Sequence, residues 1–159
     1  MKLKPVDDTI VICQGHLGAT GCRGTQIDIF LANYLAVQIH SAFQQEIERL
    51  LENRANHVGD PALREFMISC VNAIFRSTRI SEIAGLLSRF GDKYKEMFKN
   101  EMQIQPRAST SWDSIVSHRH GIAHGSGNLV FVDEIVDYYN YGHLVLDAFK
   151  LSLDATKTP

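Results

Sequence analysis

Two histidines and an arginine close to residue 120 are the side chains of this sequence best suited to chemistry. Arg119, His120 and His124 lie in the segment 117–125, which has the sequence Ser-His-Arg-His-Gly-Ile-Ala-His-Gly. His120 and His124 are four residues apart, so their imidazoles share one face if the segment is helical. Imidazole takes up and releases protons near neutral pH. The pair is therefore suited to proton transfer.

The predicted position of Arg119 is unusual for a charged residue. On a helix wheel of about 100° per residue, the apolar side chains of 112–124 form one stripe, and Arg119 falls near its centre. The stripe consists of Trp112, Ile115, Val116, Ile122 and Ala123. A buried guanidinium costs free energy unless it is paired or hydrogen-bonded. We therefore expect Arg119 either in a structural ion pair or in a functional cleft.

A polar face is predicted beside that stripe. Asp113, Ser117, His120 and His124 follow one another at helical spacing, which places a carboxylate, a hydroxyl and two imidazoles on one surface. Such a surface is typical of a groove and not of a core. Asp113 and Ser117 are therefore candidate supporting residues of the site.

Amphipathic helices supply the framework for this segment. Apolar residues recur every three or four positions in several stretches, as expected of helices that bury one face. The predicted helices cover residues 27–53, 61–75, 109–124 and 133–153, with two short helices between 81 and 102. The apolar stripes of these helices can be buried only if the helices pack against one another. The sequence therefore predicts an all-α fold, an antiparallel helical bundle with short satellite helices.

The beginning of the chain is interpreted differently. Glycines recur at every third position from Gly15 to Gly24, and helical periodicity is weak there. This pattern predicts an extended or flexible N-terminal lead over residues 1–24. The bundle domain is expected to cover residues 25–154.

Composition excludes several classes of protein. The 159 residues include 16 Lys plus Arg and 18 Asp plus Glu, so the formal net charge of −2 gives no overall attraction to nucleic acid. Any polyanion must bind at a local basic site. The three cysteines form no Cys-x-x-Cys pair, and no apolar run approaches the roughly 20 residues that span a bilayer. We expect a cytoplasmic protein with reduced thiols and no membrane partner.

The segment around Arg119 resembles the motif of a known family. Arg119, four intervening residues and His124 are similar to the R-x4-6-H motif of HEPN domains, and residues 119–125 resemble the stretch R-N-x-I-A-H-G of many members. The predicted helix order looks like the RiboL-PSP branch of that superfamily, over roughly residues 25–153. Position 120 departs from the commoner pattern, because many relatives carry Asn or Asp where this chain has His120.

The resemblance implies a metal-independent endoribonuclease without a cofactor. RNA carries its own nucleophile, the 2′-hydroxyl, and cleavage would leave a 2′,3′-cyclic phosphate. His124 would be a general base or acid, Arg119 would bind the phosphoryl oxygens, and His120 would be a second polar or proton-shuttling group. Arg76, Arg79 and Arg107 are further basic residues that would guide the RNA.

The resemblance also implies partners. Two protomers would pair as a homodimer whose motifs line one composite cleft, with Arg119 facing a partner helix. Small HEPN proteins commonly act as toxins or antiviral defence effectors, often held in check by a cognate antitoxin or another regulatory protein.

Two alternatives stay open at this point. The motif could be a hydrogen-bond network in a catalytically inactive HEPN domain that serves as an interaction or nucleic-acid-binding module. Alternatively, His118, His120 and His124 could bind a metal ion, because two imidazoles one helical turn apart can share one zinc. The lack of a glutamate between them, and the opposite face predicted for His118, argue against this metal site.

Overall fold

Eight helices form the chain over the residues that the computed structural model describes, which are 1–74, 78–125 and 129–154. In chain order they are α1 (Lys4–Thr20), α2 (Gln26–Ala55), α3 (Pro61–Ile74), α4 (Ile80–Ser88), α5 (Asp92–Ile104), α6 (Pro106–Ala123), α7 (Val132–Gly142) and α8 (Leu144–Asp154). This part of the chain contains no strand, and none of its helices has the length and apolar character needed to cross a membrane. The prediction of an all-α helical bundle is confirmed.

The 30-residue helix α2 lies at the centre of the bundle. The residues that it buries completely recur at helical spacing: Ala32, Leu35, Ala36, Ile39, Phe43 and Ile47. Phe43 stacks on Trp112 of α6, with ring centroids 4.1 Å apart. Asn33, which comes earlier in α2, contacts His118, which comes later in α6. The two helices are therefore antiparallel, and α2 supports α6 along much of its length.

Helix α7 packs antiparallel against α6 and also contacts α2, where the rings of Tyr139 and Phe43 stack. Arg107 in the first turn of α6 lies over the ring of Tyr141 near the end of α7, whereas Glu134 in the first turn of α7 acts on His118 late in α6. Gly142 at the end of α7 lies against Trp112, where a Cβ atom would be only 3.4 Å from the Trp112 backbone nitrogen. Glycine therefore lets the two helices approach closely here. A break at His143 separates α7 from α8, where the sequence predicts a single helix.

The extended or flexible lead predicted for residues 1–24 is wrong, because most of this segment is helix α1. Pro5 lies in its first turn, and Gly21 ends it with a φ of 66°. Its buried residues lie four, three and four positions apart: Val6, Ile10, Cys13 and Leu17. Burying an apolar side chain contributes about 1.5–3 kcal/mol, whereas a glycine inside a helix costs roughly 1 kcal/mol relative to alanine. The apolar stripe therefore outweighs Gly15 and Gly18, and α1 shares the core of the bundle.

Two helices begin earlier than the sequence predicts. Helix α6 begins at Pro106 and not at residue 109, because proline fits the first turn of a helix. Helix α4 begins at Ile80, whose N–H donates a hydrogen bond to Oδ1 of Asp113 on α6 at 3.2 Å. A side chain of the motif helix therefore caps α4 from outside and joins the satellite helix to the bundle.

Candidate active site

The segment that carries the motif forms the last turns of α6. His120 and His124 are exposed, and their ring centroids lie 4.3 Å apart with the ring planes tilted by 55°. The helix ends at Ala123, and Gly125 then adopts a φ of 68°, the left-handed conformation that commonly ends helices. Helical spacing therefore brings the two imidazoles together, as the sequence predicts.

Arg119 lies on the surface, and the prediction that it sits within an apolar stripe is wrong. The first three residues of that stripe are buried, but Ile122 is only half-buried and Ala123 is exposed. The core covers α6 only as far as His118, so the final turn extends beyond it. Within the described part of the chain, Arg119 forms neither a hydrogen bond nor an ion pair. The structural ion pair considered for it is therefore not formed by these residues.

His118 belongs to the core and is separate from the exposed histidine pair. It is 8% exposed, and its Nε2 lies 2.9 Å from Oδ1 of Asn33 on α2. Burial lowers the pKa of His118, while the carboxylate of Glu134 acts weakly in the opposite direction. Three histidines are therefore not brought together as metal ligands. The described residues contain no cluster of three or more His, Cys, Asp or Glu side chains that could hold a metal ion.

The two supporting residues predicted on the polar face have different surroundings. Asp113 is half-buried, and its carboxylate accepts the hydrogen bond that caps α4. It precedes His120 by about 10 Å along the helix axis, so it serves the fold and not the histidine pair. Ser117 is exposed on α6, one turn before His120.

The basic residues considered for RNA binding also have different surroundings. Arg79 is exposed at the start of α4, between two residues that are hydrogen-bonded to the central helices. Arg76 lies outside the described residues. Arg107 is already engaged, because its guanidinium contacts both carboxylate oxygens of Asp137 and lies 3.6 Å over the ring of Tyr141.

A histidine that sequence analysis did not single out lies near Arg119. His40 on α2 is half-buried, and its Nε2 lies 2.9 Å from Oγ1 of Thr78. Thr78 is itself 2% exposed, and its carbonyl accepts a hydrogen bond from Nε1 of Trp112 at 2.5 Å. The pKa of His40 is lowered, first by burial and second by the positive charge of Arg119. No spacing rule could have found this neighbour, because the two side chains are on different helices.

The motif does not line the cavity at the opposite end of α2. That cavity has a volume of about 320 Å³ and lies between the last turns of α2 and α8, beside Arg54, His57 and Lys150. Arg119, His120 and His124 are instead on an open surface. An open surface with several polar groups suits a segment of a macromolecule better than an enclosed small molecule.

Comparison of the chain with protein-family models, with curated proteins and with solved structures found no match. The functional argument therefore depends on the motif residues and on their surroundings.

Proposed function

We propose that this chain is a metal-independent endoribonuclease of the HEPN type. The observation that carries the proposal is the combination of two exposed imidazoles, 4.3 Å apart, with an exposed arginine on the same helix end. Arg119 has no ion-pair partner among the described residues, so its guanidinium is available to an external anion. The exposed imidazoles of His120 and His124 are available to a substrate as proton donors or acceptors.

The proposed reaction needs one base, one acid and one fixed positive charge. One imidazole of the pair removes the proton of a ribose 2′-hydroxyl, whose oxygen attacks the adjacent phosphorus. The bond from phosphorus to the 5′-oxygen breaks, and the other imidazole, in its protonated form, donates its proton to that oxygen. The products are a 2′,3′-cyclic phosphate and a 5′-hydroxyl.

Arg119 is the positive charge in this scheme. Negative charge spreads over the non-bridging oxygens of the phosphorus during the attack, and a guanidinium stabilises it through charge-assisted hydrogen bonds. His124 is assigned as general base or acid and His120 as its proton-transferring partner. Because the chain carries a net charge of −2, RNA must be held locally, by Arg119 and by nearby cations such as Arg79.

A second copy of the chain is proposed to complete the site. Ile27, Phe30 and Tyr34 are 43%, 62% and 52% exposed, and they follow one another at helical spacing on the first half of α2. Asn33, between Phe30 and Tyr34, is hydrogen-bonded to His118 next to the motif. Exposed apolar rows of this kind are typical of interaction surfaces. A homodimer paired along this row would bring two motifs to one cleft.

The biological role is proposed from the resemblance. An RNA-cutting protein of this kind would act in the cytoplasm as a toxin or an antiviral defence effector. A cognate antitoxin or another regulatory protein would then control it.

Analysis of the RNA products tests the proposed chemistry. The purified chain is incubated with total RNA in excess EDTA, and the ends of the fragments are identified. We expect cleavage with 2′,3′-cyclic phosphate ends, and no cleavage of a 2′-O-methyl oligoribonucleotide, which lacks the free nucleophile. Cleavage that EDTA abolishes would replace the proposal with a metal-dependent reaction. No cleavage by an intact dimer would favour an inactive interaction module.

A further inference from the structure

His40 and Arg119 lie on the neighbouring helices α2 and α6. Phe43, one turn after His40, stacks on Trp112, two turns before Arg119. The two helices are antiparallel. Residues that precede Phe43 on α2 and residues that follow Trp112 on α6 therefore lie toward the same end of the bundle. Side chains on a helix lean toward its N-terminus. A long side chain at position 119 that leans this way reaches back along α6 toward the level of His40, and the positive charge of Arg119 acts on that imidazole.

A hydrogen bond fixes the imidazole of His40. Its Nε2 lies 2.9 Å from Oγ1 of Thr78, and the Thr78 carbonyl is bonded to Trp112 in the core. Within the described residues, Nδ1 of His40 has no hydrogen-bond partner. One ring nitrogen is therefore anchored, and the other is available to a ligand.

The charges around His40 oppose its protonation in the free protein. Helix α2 has no acidic or basic residue between Asp28 and Glu46. On the described elements around it, the charged or titratable residues are Arg107, Asp113, His118, Arg119 and His120 of α6, with Arg79 and Glu82 at the start of α4. Of these, Arg119 is the charge that acts on the imidazole, and burial disfavours the charged form further.

We propose that His40 is a second ligand of the phosphate group that Arg119 binds, and that it takes up a proton when this phosphate binds. The inference rests on the proposed function in taking an RNA phosphodiester as the ligand. In the protonated ring, Nε2–H donates to Thr78 and Nδ1–H donates to a phosphate oxygen. The negative charge of the phosphate offsets the repulsion from Arg119 and favours the imidazolium. Phosphate affinity therefore increases as the pH falls toward the range in which bound His40 is protonated.

Titration of His40 by NMR tests this coupling in the intact chain. The probe is a 2′-O-methyl oligoribonucleotide, which carries phosphodiesters but is not cleaved. We expect the pKa of His40 to rise when the probe binds. At constant pH, the ring signals of exposed His57 at the far end of α2 should not move on addition of the probe. In Arg119→Ala the pKa of free His40 should be higher than in the parent, and the probe should shift it much less. An unchanged pKa of His40 at saturating probe would overturn the inference.

Binding of the same probe to His40→Gln provides a second measurement. Glutamine retains a hydrogen-bonding group toward Thr78 but takes up no proton. Between the pKa of bound His40 and the pKa of free His40, each unit by which the pH falls tightens binding by up to roughly tenfold. The gain in affinity between pH 8 and pH 6 should therefore be several-fold smaller in His40→Gln than in the parent and in the control His16→Gln. An equal gain in all three proteins would contradict the coupling.

Cleavage of unmodified RNA, measured separately, distinguishes this inference from the proposed function. If binding of the probe is coupled to protonation of His40 but the chain cuts no RNA, the phosphate site is supported and the proposed nuclease is not. If the chain cuts RNA but binding of the probe does not change the protonation of His40, the nuclease is supported and His40 is not a ligand of the phosphate.

Discussion

The three histidines at the end of α6 differ in burial, and this difference limits what each can do. His118 is held in the core by Asn33, whereas His120 and His124 lie in contact on the surface. A buried imidazole that is more stable without charge contributes to the pH dependence of folding. An exposed pair is available to exchange protons with a ligand. The same residue type therefore has two different environments within seven positions of the sequence.

The first prediction concerns the pH dependence of stability. Burial lowers the pKa of His118 below the ordinary value of 6.5, and the pKa values of His40 and His143 are lowered as well. As the pH falls through that ordinary value, the unfolded chain binds more protons than the folded chain, so the free energy of unfolding decreases. Each such histidine contributes a slope of at most about 1.4 kcal/mol per pH unit.

Denaturant unfolding between pH 8 and pH 5 measures this slope. We expect a smaller slope in His118→Gln than in the parent, because glutamine takes up no proton. A parent protein whose stability stayed constant or increased toward pH 5 would contradict the prediction.

At the residue scale, spacing predicts which side chains share a face but not how much of a helix is covered. It correctly brings His120 and His124 together, because that contact depends only on helix geometry. It places Arg119 in a buried stripe, although the core ends one residue earlier. The use of Asp113 as a cap, and the presence of His40 near the motif, depend on other helices and have no signal in the sequence.

At the element scale, one buried carboxylate joins the starts of two helices. Asp28, in the first turn of α2, is 4% exposed, and its two oxygens accept hydrogen bonds from the backbone nitrogens of Gly24 and Val132, each at 2.9 Å. Val132 is the first residue of α7. Asp28 therefore fixes the turn before α2 and the beginning of the helix that packs against the motif helix.

Removing that carboxylate should destabilise the fold. In Asp28→Ala two backbone donors lose their charged acceptor, and we expect a loss of about 3 kcal/mol in the free energy of unfolding. Asp133→Ala is a matched control, because Asp133 forms an exposed ion pair with Arg23, which should contribute less than about 1 kcal/mol. Equal losses in the two variants, measured by denaturant unfolding, would be inconsistent with this role of Asp28.

The elements differ in how well the sequence predicts them. Helix α2 has a strong apolar period, and its bounds differ from the prediction by at most two residues. Helix α1 has only four buried positions among several glycines, so its local signal is weak and packing against the bundle decides its structure. Capping of α4 by Asp113 is a tertiary contact, which explains why its start was not predicted.

At the scale of the whole molecule, the proposed homodimer gives the third prediction. The parent should sediment at twice the 17.9 kDa of the chain. Phe30→Asp places a charge in the exposed apolar row of α2 and should produce a folded monomer. Phe66→Asp is the control, because Phe66 is 65% exposed on α3 and Phe30 is 62% exposed. A parent that stays monomeric, or a Phe30→Asp variant that stays dimeric, would contradict the proposed dimer interface.

The bundle as a whole follows from the sequence more directly than its functional surface does. Amphipathic helices have few ways to bury their stripes, so the fold class can be predicted from periodicity. The packing of α6 against both α2 and α7 depends on contacts such as Phe43 with Trp112 and Trp112 with Gly142. These contacts fix which end of α6 remains exposed, and no local pattern encodes them.

Cleavage of RNA in excess EDTA by the parent and by motif variants is the most direct test of the proposed nuclease. We expect Arg119→Ala and His124→Ala to lose about 10²–10⁴-fold in rate, because each removes a group that acts on the reacting phosphate. The matched controls Arg89→Ala and His16→Ala change exposed residues outside the motif and should cleave as the parent does. If the two motif variants cleave RNA as fast as the parent, Arg119 and His124 are not the active site.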